Sequence, residues 1–152
     1  MAQNPIDMIV ADHRTVERLF AEYQHAAAAE RRSIAERLFG ALEAHARMEE
    51  QVFYPAVADQ KERAATDRVA EAQREHGDIK LMIAELRNRA PGAAFDERMA
   101  NLKEAVEHHV KEEETELLPY AAERLSGHEN AIAREMERVK MSIAHADERG
   151  IA

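Results

Sequence analysis

The chain has 152 residues, about one domain's worth, with 21 basic residues against 30 acidic ones and a formal net charge of −9. An acidic surface repels phosphate backbones and anionic lipid, which disfavours nucleic-acid and membrane-surface roles. Cysteine is absent, and with it disulfides, zinc fingers, thiolate-held clusters and cysteine nucleophiles.

With 5 glycines, 4 prolines and 34% charged residues, the composition is that of a helical protein. The first helix opens at Asn4-Pro5, an N-cap followed by a proline whose missing N–H costs nothing there. Its apolar stripe is Ile6, Ile9, Val16, Phe20 and Tyr23, and it fades near Ala29. A second helix is predicted from about Ser33 to Asp59, with Leu38, Leu42, Val52 and Ala56 inward and a kink at Pro55. A third runs from about Thr66 to Asn88, and Pro91-Gly92 ends it. The fourth spans about Phe95 to Leu125, with Pro119 near its end. Ser126-Gly127-His128-Glu129 then has the form of a capping box opening a fifth helix, striped by Ile132, Met136, Val139 and Ile143. Short links favour an all-α fold: an up-down-up-down antiparallel four-helix bundle over about residues 5–125, with an additional C-terminal helix at about 127–148. The whole of 1–152 reads as one domain. The fifth helix is expected to seal the bundle, a dimer contact being the alternative. No apolar run approaches membrane-spanning length, and residues 1–13 lack a signal peptide's layout, so a cytoplasmic location is expected.

The two halves repeat each other. His45-x-x-x-Glu49-Glu50 is followed by Pro55, and His109-x-x-x-Glu113-Glu114 by Pro119, each proline ten residues after its histidine. Upstream stand Asp12-His13 and Glu75-His76, so each half reads as a helix with His, then a helix with HxxxE. Residues four apart share a helix face, about 40° and roughly 6 Å apart. That face is the inward one, since each histidine falls within its helix's apolar stripe. The levels agree as well. In an antiparallel bundle, residues face each other when their midpoint falls at the connecting turn. The midpoints between successive motifs fall at residues 30, 61.5 and 93.5, near the three expected links.

His13, His45, Glu49, His76, His109 and Glu113 therefore converge in an apolar core. Buried charge must be paired or bound to metal. Four imidazoles and two bridging carboxylates suit a dinuclear site in which each ion takes two His nitrogens and one oxygen from each Glu. The donor set fits Fe, Mn or Zn, and the lack of sulfur argues against copper(I). Other residues read as ordinary. His108 lies about 100° round the helix from His109 and is expected at the surface or at a helix interface. His25, His128 and His145 are expected in solvent. Glu50, Glu112 and Glu114 read as a solvated acidic face, with Glu114 able to compete with Glu113 on a distorted helix. Asp12 and Glu75 read as exposed, a supporting role behind the ligands being the alternative. A regular helix points Tyr54 away from the site, although a kink would bring it in.

The pattern His13, His45-x-x-x-Glu49, His76, His109-x-x-x-Glu113 resembles the hemerythrin-like family of HHE cation-binding domains, over Pro5 to about Leu125. The resemblance implies a non-haem centre of two Fe ions with an oxo or hydroxo bridge, held by those six residues, with Mn or Zn as possible substitutes. It implies proteins that bind or sense O2, handle NO or iron, or decompose H2O2. The chain departs from the oxygen carriers in two places. Ala72 and Lys80 flank His76 where a carrier has a second His, and Glu113 stands where a carrier has Asp one residue later. Two function classes follow: a di-iron oxidoreductase acting on hydrogen peroxide or O2, and a module that binds or senses O2, NO or iron without turnover. Expected partners are these small molecules, with neither nucleic acid nor membrane.

Overall fold

Asn4 starts the first helix as its type predicts, its Oδ1 accepting the Ile6 N–H at 2.8 Å. The structure, a computed structural model, describes residues 3–148, and side chains only as far as residue 143. The side chain of His145, expected in solvent, thus lies outside the described residues. The helices are α1 (Pro5–His25), α2 (Ala28–Met48), α3 (Tyr54–Ala58), α4 (Arg63–Arg87), α5 (Ala93–Glu112), α6 (Leu118–Arg124) and α7 (Glu129–Glu148). No strand occurs among the described residues.

Helix α2 is joined to α3 through a wide π-turn, Glu49–Phe53, and α5 to α6 through another, Glu113–Leu117. Each rod is thus continuous through its proline, and the expected kink at Pro55 is replaced by this widening. The cause is local. A proline in a helix lacks an N–H and presses on the carbonyl four residues back. In both rods the preceding residue instead bonds five residues back, Tyr54 N–H to the Glu49 carbonyl and Leu118 N–H to that of Glu113.

Two other boundaries differ from the sequence expectation. Helix α2 begins at Ala28 rather than Ser33, because Glu30-Arg31-Arg32 is good helix-forming sequence and both arginines are anchored. Arg31 reaches Asp96 at 2.8 Å, and Arg32 bonds the carbonyls of Arg89 and Arg87 at 2.7 and 3.1 Å. Those contacts satisfy carbonyls that the end of α4 leaves free. The capping box before α7 does not form: the Glu129 carboxylate accepts from the Gly127 N–H at 2.8 Å, with Gly127 at φ 92°. The short first link also moves the first midpoint, residue 30, inside α2. Level matching therefore holds to a helical turn rather than to a residue.

The core is split in two. One cluster holds Val16, Phe20, Leu38, Phe39, Leu42, Ile83, Phe95 and Leu102. The other holds Ile9, Met48, Phe53, Val57, Val69, Leu117, Ala121 and Met136. Each ligand-bearing rod contributes to both, and its candidate ligands lie between the two contributions. Helix α7 packs on α1 and α2 and supplies Met136 to the second cluster. Phe39 is fully buried in the first cluster. Phe39→Ala should cost about 3–5 kcal/mol in a denaturant titration, with metal content unchanged in the folded protein.

Candidate metal centre

All six predicted ligands are buried, from Glu49 at 0% exposure to His45 at 6%. They meet at the layer between the two clusters. His13 Nε2 stands 3.1 Å from Glu113 Oε1, and His45 Nε2 is 3.1 Å from Glu49 Oε1. His76 Nε2 is 3.2 Å from Glu49 Oε1 and 3.1 Å from His109 Nε2. His109 Nε2 lies 3.5 Å from Glu113 Oε2.

Behind them stands a ring of four carboxylates, one for each imidazole. Asp12 on α1 holds His45 Nδ1 at 2.8 Å, and Glu50 holds His76 Nδ1 at 2.9 Å. Glu75 on α4 holds His109 Nδ1 at 2.8 Å, and Glu114 returns to α1 to hold His13 Nδ1 at 2.6 Å. Every rod thus gives a carboxylate to the histidine of the next, and the last gives one to the first. Glu50 and Glu114 are thus not the solvated face that the sequence suggests, and for Asp12 and Glu75 the supporting role, second choice on sequence, is the one observed. Their signal was in the repeat: the acid just before His13 and His76, and the second Glu of each HxxxEE, recur in both halves. Three of them are held in turn by a fixed cation. Lys140 of α7 meets Asp12 at 2.7 Å, Lys80 meets Glu50 at 2.7 Å, and Arg14 meets Glu114 at 2.5 Å. Glu114 therefore orients His13 instead of competing with Glu113.

The second correction is Tyr54. In a regular helix a residue five positions on lies about 140° away, but the π-turn spends one residue more and brings Tyr54 over Glu49. Its hydroxyl donates to Glu113 Oε2 at 2.5 Å and lies 3.2 Å from both Glu49 Oε1 and His76 Nε2. The same position of the second motif is Leu118, so the two halves are not equivalent. His108 is 65% exposed, and His25 and His128 are exposed, as expected.

The donor set fits a cation. A carboxylate can only accept, so each Nδ1 carries a proton and each Nε2 is left as the coordinating atom. His13 Nε2, His45 Nε2, Glu49 Oε2 and Glu113 Oε1 are buried with no hydrogen-bond partner. The potential ligands form two groups, His13–His45–Glu49–Glu113 and Glu49–His76–His109, with Glu49 common to both.

Residues 4–121 match the family model for the hemerythrin HHE cation-binding domain. The chain belongs to that family. The HHE domain is similar in fold to the crystal structure of an HHE cation-binding domain-containing protein from Mycobacterium kansasii, an Rv2633c homolog. The TM-score is 0.79 at 23% identity, covering 98% of this chain and 94% of that one. No curated protein matches the chain. Among the described residues no helix is long and apolar enough to cross a membrane.

Without a cation in the HHE site, protons must balance its charge. Burial would push the His45 imidazole down, but Glu49 and Asp12 outweigh it and lift the group to about 10. Glu49 itself is held well below the usual range: burial would raise it, and His45 and His76 overcome that. Glu113 is pushed up by burial and by the Glu49 charge, and Tyr54 well up by burial and both carboxylates. His45 is therefore protonated at neutral pH and must lose that proton to coordinate. Zn2+ added to weakly buffered metal-free protein at pH 7 should release protons, and its affinity should rise with pH towards 10. Uptake without acidification, read with an indicator dye, would contradict this protonation state. Asp12→Asn should weaken metal binding about 10–100-fold in a chelator competition, whereas His25→Ala should leave it unchanged.

Proposed function

We propose that this HHE domain is a non-haem di-iron protein that reacts with small oxidants, decomposing hydrogen peroxide to water and O2. In this reading His13, His45, Glu49 and Glu113 would hold one ion, and His76 and His109, with Glu49 common to both groups, would hold the other. The rods α1, α2–α3, α4 and α5–α6 form the up-down-up-down bundle, with α7 packed outside. The observation that carries the reading is the pair of ligand groups sharing one buried carboxylate, with a protonated phenol beside it. Manganese or zinc would suit the same donors.

Bound iron would supply redox and Lewis-acid chemistry. The chain's own residues do the rest. The four outer carboxylates fix the imidazole planes, so that ligand geometry is set before metal or substrate arrives. A small cavity of about 30 Å³ reaches the four histidines past Val16, Leu42, Ala46, Ile79, Ile83 and Val106. Its walls are largely apolar and its size suits one small neutral molecule, which fits H2O2, O2 and NO. Tyr54 stands on the His76 side, where six ligands instead of a carrier's seven would leave room for substrate. Its hydroxyl holds a proton within hydrogen-bond distance of Glu113 and Glu49, and can lend it to an oxygen atom there.

Protein expressed with iron available should contain about two iron ions per chain by elemental analysis. One ion or none in a folded sample would end the dinuclear reading. Iron-loaded protein should release O2 from H2O2 at an oxygen electrode, while metal-free protein and His109→Ala should be inert. If loaded protein leaves peroxide untouched yet forms a lasting O2 or NO complex, the domain is a binding or sensing module.

A further inference from the structure

The small cavity at the four histidines continues outward on one side. A cleft of about 210 Å³ lies between α1 and α5, with Glu17, Lys103 and Glu107 at its outer rim and the buried Phe20 in its wall. Its inner end is formed by His13, Val16, Val106 and Val110, and the same four residues line the cavity of about 30 Å³. The two spaces therefore meet at a neck of three valines and one imidazole.

The seam between α1 and the α5 rod is laced only at its ends. At one end Glu114 meets His13 and Arg14, and at the other Asp96 accepts from Tyr23 and Arg31. Between these, among the described residues, no side-chain hydrogen bond or ion pair crosses the seam. Glu17 pairs with Arg14 and Lys103 with Glu107, each along its own helix. On the α2–α4 side the cavity is bridged by charge. Glu43 and Lys80 line it there, and they are held across that seam by Arg87 at 2.6 Å and by Glu50 at 2.7 Å. A carboxylate-rich cleft beside α4 touches His109 but shares no other wall residue with the cavity.

We infer that a small uncharged molecule enters between α1 and α5 and passes the valine neck to the four histidines, so that Val16, Val106 and Val110 select what arrives. This rests on the small-oxidant reading above and names its route of entry. A valine on a helix holds essentially one rotamer, so the backbone spacing sets the width of the neck. Its methyl groups offer no hydrogen bond, and an anion or hydrated cation would shed water there without compensation. An uncharged diatomic or peroxide molecule loses far less. All four histidines line the inner cavity, so a molecule admitted beside His13 reaches the His76 side without returning to solvent.

The first test needs no chemistry at the site. The full chain is loaded with Zn2+, with the metal-free chain as a second sample, and dissolved O2 serves as a paramagnetic probe of methyl relaxation by NMR. Methyl protons of Val16, Val106, Ile79 and Ile83 should relax faster under O2 than those of Val57 and Val69, which are as deeply buried in the other cluster. Equal relaxation in the two sets would overturn the proposal. The second test follows NO binding and release by stopped flow in iron-loaded protein. Val110→Phe should slow both about tenfold with Kd unchanged, because a passage alters rates and leaves the bound state alone. Val16→Ala should speed both, and Glu43→Gln, which loosens the other seam, should change neither. Unaltered rates in Val110→Phe and Val16→Ala, or faster binding in Glu43→Gln, would place the entrance elsewhere. If wild type binds no NO, the small-oxidant reading fails, and the O2 relaxation pattern alone decides the route.

Discussion

The structure depends on one constraint: an imidazole buried in an apolar core must have its Nδ1 proton accepted. Four times over, that acceptor comes from a neighbouring rod. Each contact fixes a ring plane and also fixes the height at which two rods meet. The ring therefore sets the register of the helices and the orientation of the ligands with the same hydrogen bonds. A bundle held by apolar stripes alone could slide by a turn at little cost, since one leucine replaces another. A bundle whose carboxylates must each find one particular nitrogen cannot.

The π-turns act one step later. Each HxxxE pair needs a straight α-helical turn to put both ligands on one face, and the second Glu reaches a neighbouring rod's histidine from the next position round that same helix. The residues that follow change phase, which brings Tyr54 over Glu49. Pro55 and Pro119 impose that change of phase one turn after the glutamates, where the ordinary ladder can no longer be completed. The two halves share this device but use it differently. At one the shifted position carries Tyr54, and at the other Leu118, so a duplicated scaffold presents one polar and one apolar flank to its centre.

Much of this was legible in the sequence. The helical composition, the N-cap at Asn4 and the breaker at Pro91-Gly92 fixed the elements. The duplicated motif on the inward face picked out the six residues that meet. Glu50 and Glu114 escaped, and the supporting role of Asp12 and Glu75 stayed the second choice, because a lone acid beside a ligand looks the same as a solvent-facing one. Only the partner on another rod tells them apart, and such pairing is a tertiary fact. Asp12 and Glu75 precede their helix's histidine by about 100° of rotation, which on an isolated helix points aside from the core but in a bundle points at the neighbour. Tyr54 escaped for a backbone reason. Regular 3.6-residue periodicity sends it outward, and the π-turn that reverses this is prompted by a proline whose usual reading is a bend.

The polar layer between the two apolar clusters also bears on how the molecule breathes. Every ligand-bearing rod crosses that layer, so backbone amides on either side belong to two packed blocks joined through it. Were the six donors to share bound cations, opening one block would strain the ligands that the other holds, and the blocks would open together. When only protons balance the layer, its directional bonds are fewer, and each block approaches a cooperative unit of its own. The centre is then a coupler of the two blocks, governing whether slow amide exchange in this protein reports one opening event or two.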